Sequence, residues 1–232
     1  KKDKIKAMII YGKQVCLHVL EHHSGSVKTV YIAKKGILPT QLYNLYKDKI
    51  KFLEERWAQA MSKGGNHQGL LLDVEDFVES DLDSIKKGSF LVVLDSLTDV
   101  GNIGAIVRSS YALGADGIIC IGVKQLNFSG IARTSAGALF DMPFKIVSNG
   151  LDVLNELKQN GFELYGASMD GESIETTHFA SKKVLVIGSE GEGLSKRVLP
   201  KMDKLVSIPM KHNFDSLNAS VATGILLYRM AL

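Results

Sequence analysis

From residue 88 onward the chain repeats one pattern: a short, wholly apolar run, then a stretch of helical periodicity, then another apolar run. Phe90-Leu91-Val92-Val93-Leu94 and Val184-Leu185-Val186-Ile187 are the clearest runs. Neither alternates apolar with polar residues, so the strands they form must be covered on both faces. That requirement selects an α/β fold with a mostly parallel sheet between layers of helix. Strands are expected at 90–94, 117–121, 144–147, 163–165, 184–187 and 205–208, and helices at 102–113, 151–159 and 216–230.

The first part of the chain reads differently. Strands at 27–33, 50–53 and 69–74 and helices at 13–22, 39–46 and 55–63 describe a small mixed α/β domain. It carries a polar glycine loop, Gly64-Gly65-Asn66-His67-Gln68-Gly69. Residues 77–87 have little periodicity and read as a linker with at most one helical turn. The expected organisation is therefore a domain at 1–76, a linker at 77–87 and a second domain at 88–232. Charge follows that division. Residues 1–76 hold 13 Lys and Arg against 8 Asp and Glu, whereas 77–232 hold 15 against 17. A basic first domain beside a nearly neutral second suits contact with a polyanion.

Composition excludes several classes. With 45% hydrophobic and 23% charged residues the chain is an ordinary globular protein. No apolar run reaches the length of a membrane span, and no secretory signal pattern opens the chain. Cys16 and Cys120 lie in apolar surroundings with no C-x-x-C pair, as reduced core cysteines of a cytoplasmic protein would. The chain opens at Lys1 rather than Met, so a few native residues are expected ahead of it.

Two strand-to-loop-to-helix segments near the C-terminus carry the chemistry. One is Gly188-Ser189-Glu190-Gly191-Glu192-Gly193, directly after an apolar strand. The other is Ser207-Ile208-Pro209-Met210, followed by Asp215-Ser216-Leu217-Asn218-Ala219-Ser220. Glycines permit close backbone approach, and helix N-termini offer free N–H groups, so both segments suit a small-molecule site built largely from main chain. A phosphate-cradling P-loop is excluded, because Leu194-Ser195 stands where Lys-Ser/Thr is required. A dinucleotide fingerprint fails because Lys196 replaces the third glycine.

A third segment, Asp95-Ser96-Leu97-Thr98-Asp99-Val100-Gly101-Asn102-Ile103-Gly104-Ala105-Ile106-Val107-Arg108, leads into the first helix of the second domain. Asn102 fits an N-cap. Ile103, Ile106 and Val107 form the buried stripe, and Arg108 lies off it. Its side chain leans back over Gly104 and Ala105, which leave room for a phosphate or sugar.

Together, Asn102-x-Gly104-x-x-x-Arg108, the glycine loop and the Ile208–Asn218 segment resemble the three signature motifs of the SpoU family of RNA ribose 2′-O-methyltransferases, within the SPOUT class. The resemblance is dense over 90–232. It is looser over 8–76, which is similar to the family's L30e-like RNA substrate-binding domain. Val100-Gly101 stands where the family often has Pro after the Asp, and Ser110 where it often has Ala, so loop shape is the property these departures put in question.

The resemblance implies a deep trefoil knot in the second domain, S-adenosylmethionine as cofactor, and a homodimer with the apolar face of 216–230 in contact. It implies 2′-O-methylation of a ribose, guanosine first, in large-subunit rRNA. It assigns Arg108, Asn102, Glu190 and Asn218 to catalysis. Gly188, Ser189, Ile208, Met210, Ser216 and Leu217 are assigned to the cofactor, and Lys34, Lys35, Asn66, His67 and Gln68 to RNA. No metal is required for methyl transfer from this cofactor. The alternatives are a tRNA substrate, or a non-catalytic RNA-binding protein with a degenerate second domain. His18-Val19-Leu20-Glu21-His22 also matches a zinc-protease string, H-x-x-E-H. Without a third-ligand helix it reads better as an ordinary helix bearing half-buried histidines.

Overall fold

The computed structural model of the chain describes residues 8–212 and 216–232. Asp215, which begins the second half of the third motif, lies outside them. In chain order the elements are β1 (Met8–Tyr11), α1 (Lys13–His22), β2 (Val27–Ile32), α2 (Thr40–Tyr46), β3 (Ile50–Phe52), α3 (Glu55–Met61) and β4 (Leu70–Val74). Then follow α4 (Leu82–Ile85), β5 (Phe90–Asp95), α5 (Val100–Ala112), β6 (Gly117–Ile121), α6 (Phe128–Thr134), β7 (Phe144–Val147) and α7 (Gly150–Gln159). The last are β8 (Glu163–Ser173), β9 (Lys183–Ile187), β10 (Lys204–Ser207) and α8 (Ala219–Ala231).

The chain forms two compact units that are not cut at one point. The first combines residues up to Val78 with Asn127–Phe140, and the second combines Glu79–Leu126 with Asp141–Leu232. The first unit has a four-stranded sheet in the order β1-β4-β2-β3. β4 runs antiparallel to both β1 and β2, and β3 lies parallel to β2 at the edge. α6 belongs to this unit by its own contacts. Ser129 Oγ donates to the Ile9 carbonyl, the Arg133 guanidinium sits 5.3 Å from the Tyr11 ring centre, and the Phe77 and Phe128 rings are 4.7 Å apart.

The second unit is a six-stranded sheet in the order β10-β8-β9-β5-β6-β7, with every strand pair parallel. This is the layered α/β fold expected from the apolar runs. Leu91 and Val93 of β5, Ile119 of β6 and Val184 and Val186 of β9 form one core with Val153, Leu154 and Leu157 of α7. The alternate residues point to the opposite face, because successive strand side chains alternate. That face is closed by α5 and α8, whose Ile103, Ile106, Leu226 and Leu227 are buried. Both cysteines are free and buried, and burial pushes their thiols well above the ordinary range.

Several features depart from the sequence reading; β1 was not expected, and α8 starts at Ala219 rather than 216. α5 starts two residues earlier than expected, and its cap is Asp99, whose carboxylate accepts from the Asn102 N–H at 2.7 Å. Asn102 is therefore the third residue of the helix rather than its cap, and its side chain is released for another task. β8 runs on to Ser173 instead of ending near Tyr165, because β10 shifts register between Leu205 and Val206 and pairs with Glu172 and Ser173. The close approach needs a glycine, since a Cβ on Gly171 would lie 2.4 Å from the Val206 nitrogen. α6 was not expected at all.

Candidate active site and nucleic-acid interface

In an open parallel sheet, ligands bind outside the carboxyl ends of the strands where the strand order reverses. Here that point is β5 and β9: the chain leaves β5 toward β6 and β7, then returns through β8 to β9 on the other side. The glycine loop follows β9, and the first motif follows β5.

The three motifs meet in one hydrogen-bonded cluster. The Asn102 side-chain amide donates to Glu190 Oε1 at 3.0 Å. The Asn218 amide donates to Asn102 Oδ1 at 2.9 Å and to the same Glu190 oxygen at 2.9 Å. The carbonyl oxygen of Asn218 meanwhile caps α8, accepting from the Ser220 and Val221 N–H groups at 3.0 and 3.3 Å. The start of α5, the loop after β9 and the start of α8 are thus clamped by three side chains separated by 88 and 28 residues in sequence. A mutually bonded polar cluster of this kind favours one arrangement, because each member that moves gives up bonds to the other two. Asn102 is the buried member.

The glycine loop is folded back on itself. Ser189 and Gly193 exchange two backbone hydrogen bonds of 3.0 and 2.9 Å, and Gly191 and Gly193 take left-handed φ values of 83° and 68°. A Cβ on Gly188 would fall 2.0 Å from the Gly193 carbonyl. The glycine at 188 therefore makes room for the loop's own backbone. That differs from the expectation that it opens space for a ligand.

The sequence reading gave no role to Asp95, the first residue of the third segment. This buried carboxylate at the end of β5 accepts from the Ser195 N–H at 2.7 Å and from the Ser96 hydroxyl at 3.0 Å, so it anchors the far end of the glycine loop to the central strand. Its signal was an acidic residue closing an otherwise apolar run. Arg108 is exposed on α5, off the buried stripe as expected, and it forms no hydrogen bond or ion pair among the described residues. Of the remaining cofactor positions, Ile208 and Leu217 are half-buried, while Met210 and Ser216 are exposed. The N–H groups of Ile208, Met210 and Leu217 have no hydrogen-bond acceptor among the described residues.

In the first unit, Lys34, Asn66, His67 and Gln68 line one polar cavity of about 760 Å³. Lys35, exposed beside Lys34, does not. α1 brings the His18 and His22 rings to 4.8 Å, and a Cβ on Gly137 would lie 2.5 Å from the His18 ring, so His18 acts in packing.

Residues 89–228 match the model of the SpoU rRNA Methylase family. The chain belongs to that family. Residues 9–78 match a second model, RNA 2′-O ribose methyltransferase substrate binding. The SpoU chain is 33% identical to the 23S rRNA (guanosine-2′-O-)-methyltransferase RlmB of Haemophilus influenzae, over 95% of its own length and 96% of that protein's. It is 30% identical to the protein of the same name from Yersinia pestis, over 96% of each. Among solved structures it resembles the SpoU methyltransferase AviRb from Streptomyces viridochromogenes, crystallised in complex with the cofactor AdoMet. That match has 28% identity and a TM-score of 0.77, and it covers 97% of this chain and 89% of that one.

Proposed function

We infer that this chain transfers a methyl group from S-adenosylmethionine to a ribose 2′-hydroxyl of large-subunit rRNA, with guanosine as the target nucleoside. The observation that carries the reading is the clamp of Asn102, Glu190 and Asn218. It joins all three SpoU motifs in a chain that aligns with a 23S rRNA guanosine methyltransferase along nearly its whole length.

The residues present suit the cofactor. Ile208, Met210 and Leu217 offer main-chain N–H groups without acceptors among the described residues, and adenosine is rich in acceptors. When bound, S-adenosylmethionine supplies a methyl group on a sulfonium centre, an electrophile that needs no metal. Ser189, Ile208, Met210, Ser216 and Leu217 hold it through backbone and small side chains. Gly188 acts indirectly by letting the loop close.

A ribose hydroxyl is a poor nucleophile until the charge developing on its oxygen is stabilised. Arg108 supplies the opposite charge; as the O–C bond forms and the S–C bond breaks, the hydroxyl proton leaves to solvent and S-adenosylhomocysteine is the leaving group. The Arg108 guanidinium does not give up a proton in proteins, so it orients phosphate and stabilises the 2′-oxygen rather than serving as a base. Asn102, Glu190 and Asn218 are positioning residues that hold the loop and the two helix starts in register.

In this reading the chain works as a homodimer. Val221, Ile225 and Tyr228 leave an apolar stripe on α8 exposed, and with Ala105 and Ser109 of α5 they border a cavity of about 530 Å³. Arg108 is on the same helix as Ala105 and Ser109, so a second copy seated there lies near the site. The reading also includes the deep trefoil knot. Its support is the path from the edge strand β10 back across the sheet to α8, which packs on α5 and β9. The described residues contain no helix long and apolar enough to cross a membrane, and an rRNA substrate places the enzyme in the cytoplasm. Residues 1–76 serve as the RNA-binding domain and 88–232 as the methyltransferase domain, joined at 77–87.

The test is transfer of labelled methyl to 23S rRNA transcript, followed by mapping of the modified nucleotide. Methylation at a guanosine 2′-oxygen supports the reading, and transfer to tRNA alone overturns the rRNA assignment. Sedimentation of Tyr228→Asp checks the dimer, with dissociation and loss of activity as the expected outcome.

A further inference from the structure

We propose that the polar cavity of the first unit is a guanine-selective pocket for one unstacked nucleotide of the RNA. The proposal rests on the rRNA reading above and adds the chemical identity of what the first unit grips.

The cavity is bordered by Lys13, Lys34, Glu55, Gln59, Asn66 and Gln68, and its volume of about 760 Å³ is in the range of pockets that enclose small molecules. Its walls are preorganised. Gln68 is a non-glycine residue held at a left-handed φ of 55°. Such a conformation persists only where neighbours impose it, and it gathers at binding sites. Two hydrogen bonds impose it here. The Gln68 N–H donates to Asn66 Oδ1 at 3.2 Å, and Gln68 Oε1 accepts from the Lys13 N–H at the start of α1 at 2.8 Å. Both side-chain carbonyls are thereby engaged, and the NH₂ groups of Asn66 and Gln68 remain as donors. The floor is tight as well: a Cβ on Gly65 would lie 2.3 Å from the Tyr11 hydroxyl.

His67 sets the opposite polarity. Its Nδ1 accepts from the Gly69 N–H at 3.0 Å. The proton of a neutral ring must then sit on Nε2, which faces Glu55 Oε1 at 3.1 Å. A buried histidine thus orients an exposed carboxylate, whose second oxygen has no partner among the described residues. The cavity therefore presents one carboxylate oriented by His67 and two amide groups anchored through their carbonyls, with two lysines to meet a phosphate.

That array selects among the bases. Unpaired RNA bases are read along their open edges by hydrogen bonds. Guanine alone places two donors side by side, N1–H and N2–H₂, to meet a carboxylate, and it offers O6 and N7 as acceptors to the amide groups. Adenine and cytosine would set a ring-nitrogen lone pair against the carboxylate beside their single amino group. Uracil has one N–H between two carbonyl oxygens.

The experiment is titration of the ¹⁵N-labelled full chain with the four nucleoside 5′-monophosphates, following the side-chain amide signals of Asn66 and Gln68 and the His67 ring. Guanosine monophosphate should shift them with an affinity about tenfold or more above the other three, the discrimination expected of one bidentate pair. Glu55→Gln keeps the acceptor for His67 but removes the charge. It should abolish the preference and raise the KM for rRNA, leaving kcat and cofactor affinity unchanged. Asn66→Asp, which keeps the acceptor for Gln68, should weaken binding of all guanine ligands. Equal shifts by all four nucleotides would show a phosphate site only and overturn the proposal, as would an unaltered preference in Glu55→Gln. The titration does not depend on turnover, so an enzyme that failed to methylate rRNA would sink the functional reading and leave this one still decided by its own data.

Discussion

The loop at 188–195 and the loop at 64–69 are both glycine-rich and both contain left-handed residues, yet they use their polar side chains in opposite directions. In the larger unit the side chains bond to one another: Asn102, Glu190 and Asn218 close into a cluster, and the N–H groups of Ile208, Met210 and Leu217 have no acceptor among the described residues. In the smaller unit the side chains bond to the main chain. Asn66, His67 and Gln68 each take a backbone N–H, and their remaining polar atoms, with Glu55, face a cavity. The first arrangement suits a ligand that never changes, because peptide groups recognise shape and acceptor pattern at close range. The second suits selection among similar bases, where donors and acceptors must be told apart.

Arg108→Ala breaks the larger site most. The side chain is exposed and off the buried stripe, so its loss leaves no core cavity. Removing one preorganised charge at a reacting oxygen costs roughly a hundredfold or more in rate. Single-turnover methyl transfer should fall by that order, with melting temperature and cofactor affinity nearly unchanged. A folded mutant of near-normal turnover would remove Arg108 from the mechanism.

The glycine loop comes next. Gly188→Val sets a branched side chain against backbone that already lies 2.0 Å from the Cβ position. The loop must open, so both cofactor affinity and melting temperature should drop. Gly193 has open space around its Cβ but a φ of 68°, so Gly193→Ala should cost about 1–2 kcal/mol of backbone strain. Equal effects of the two substitutions on calorimetric titration would show that loop packing is not what 188 provides.

Asn102→Ala and Asn66→Ala compare the clusters directly. Asn102 is buried and bonds two partners, so its removal loses two hydrogen bonds of about 0.5–1.5 kcal/mol each. Asn66 gives up one bond near solvent, worth about 0.5–1.5 kcal/mol. Chemical denaturation should rank them in that order.

Much of this was legible in the sequence, for a physical reason. The strands of the larger sheet are buried on both faces, so their apolar runs are unbroken, and the resemblance of three ordered motifs to the SpoU family named the residues that form the clamp. Local capping was harder: Asp99 and Asn102 are both good caps three residues apart, and only the structure shows which side chain stays near the helix start. α6 is a seven-residue Phe-Ser-Gly-Ile-Ala-Arg-Thr segment, too short for a period to register, and it is held by the first unit's sheet rather than by its own propensity. The extension of β8 runs through Ser168-Met169-Asp170-Gly171, which reads as a turn, and it pairs only because β10 changes register there. Asp95 was given no role, because the Ser195 N–H it holds is a hundred residues away.

The smallest effect expected is also the sharpest test of the smaller site. Lys34 and Lys35 are adjacent and exposed, and charge alone would make them equal partners for RNA. Of the two, only Lys34 borders the cavity. A lysine beside the cavity can meet the phosphate of a nucleotide bound there, whereas one outside it shares in the diffuse field. Each phosphate contact with single-stranded nucleic acid lowers the slope of log affinity against log salt by about 0.7. Lys34→Ala should therefore reduce the steepness of that plot by about this amount in rRNA fragment binding. Lys35→Ala should shift the line with little change of slope. If the two substitutions change the slope equally, RNA meets this unit as a charged surface, and the cavity has no privileged part in holding it.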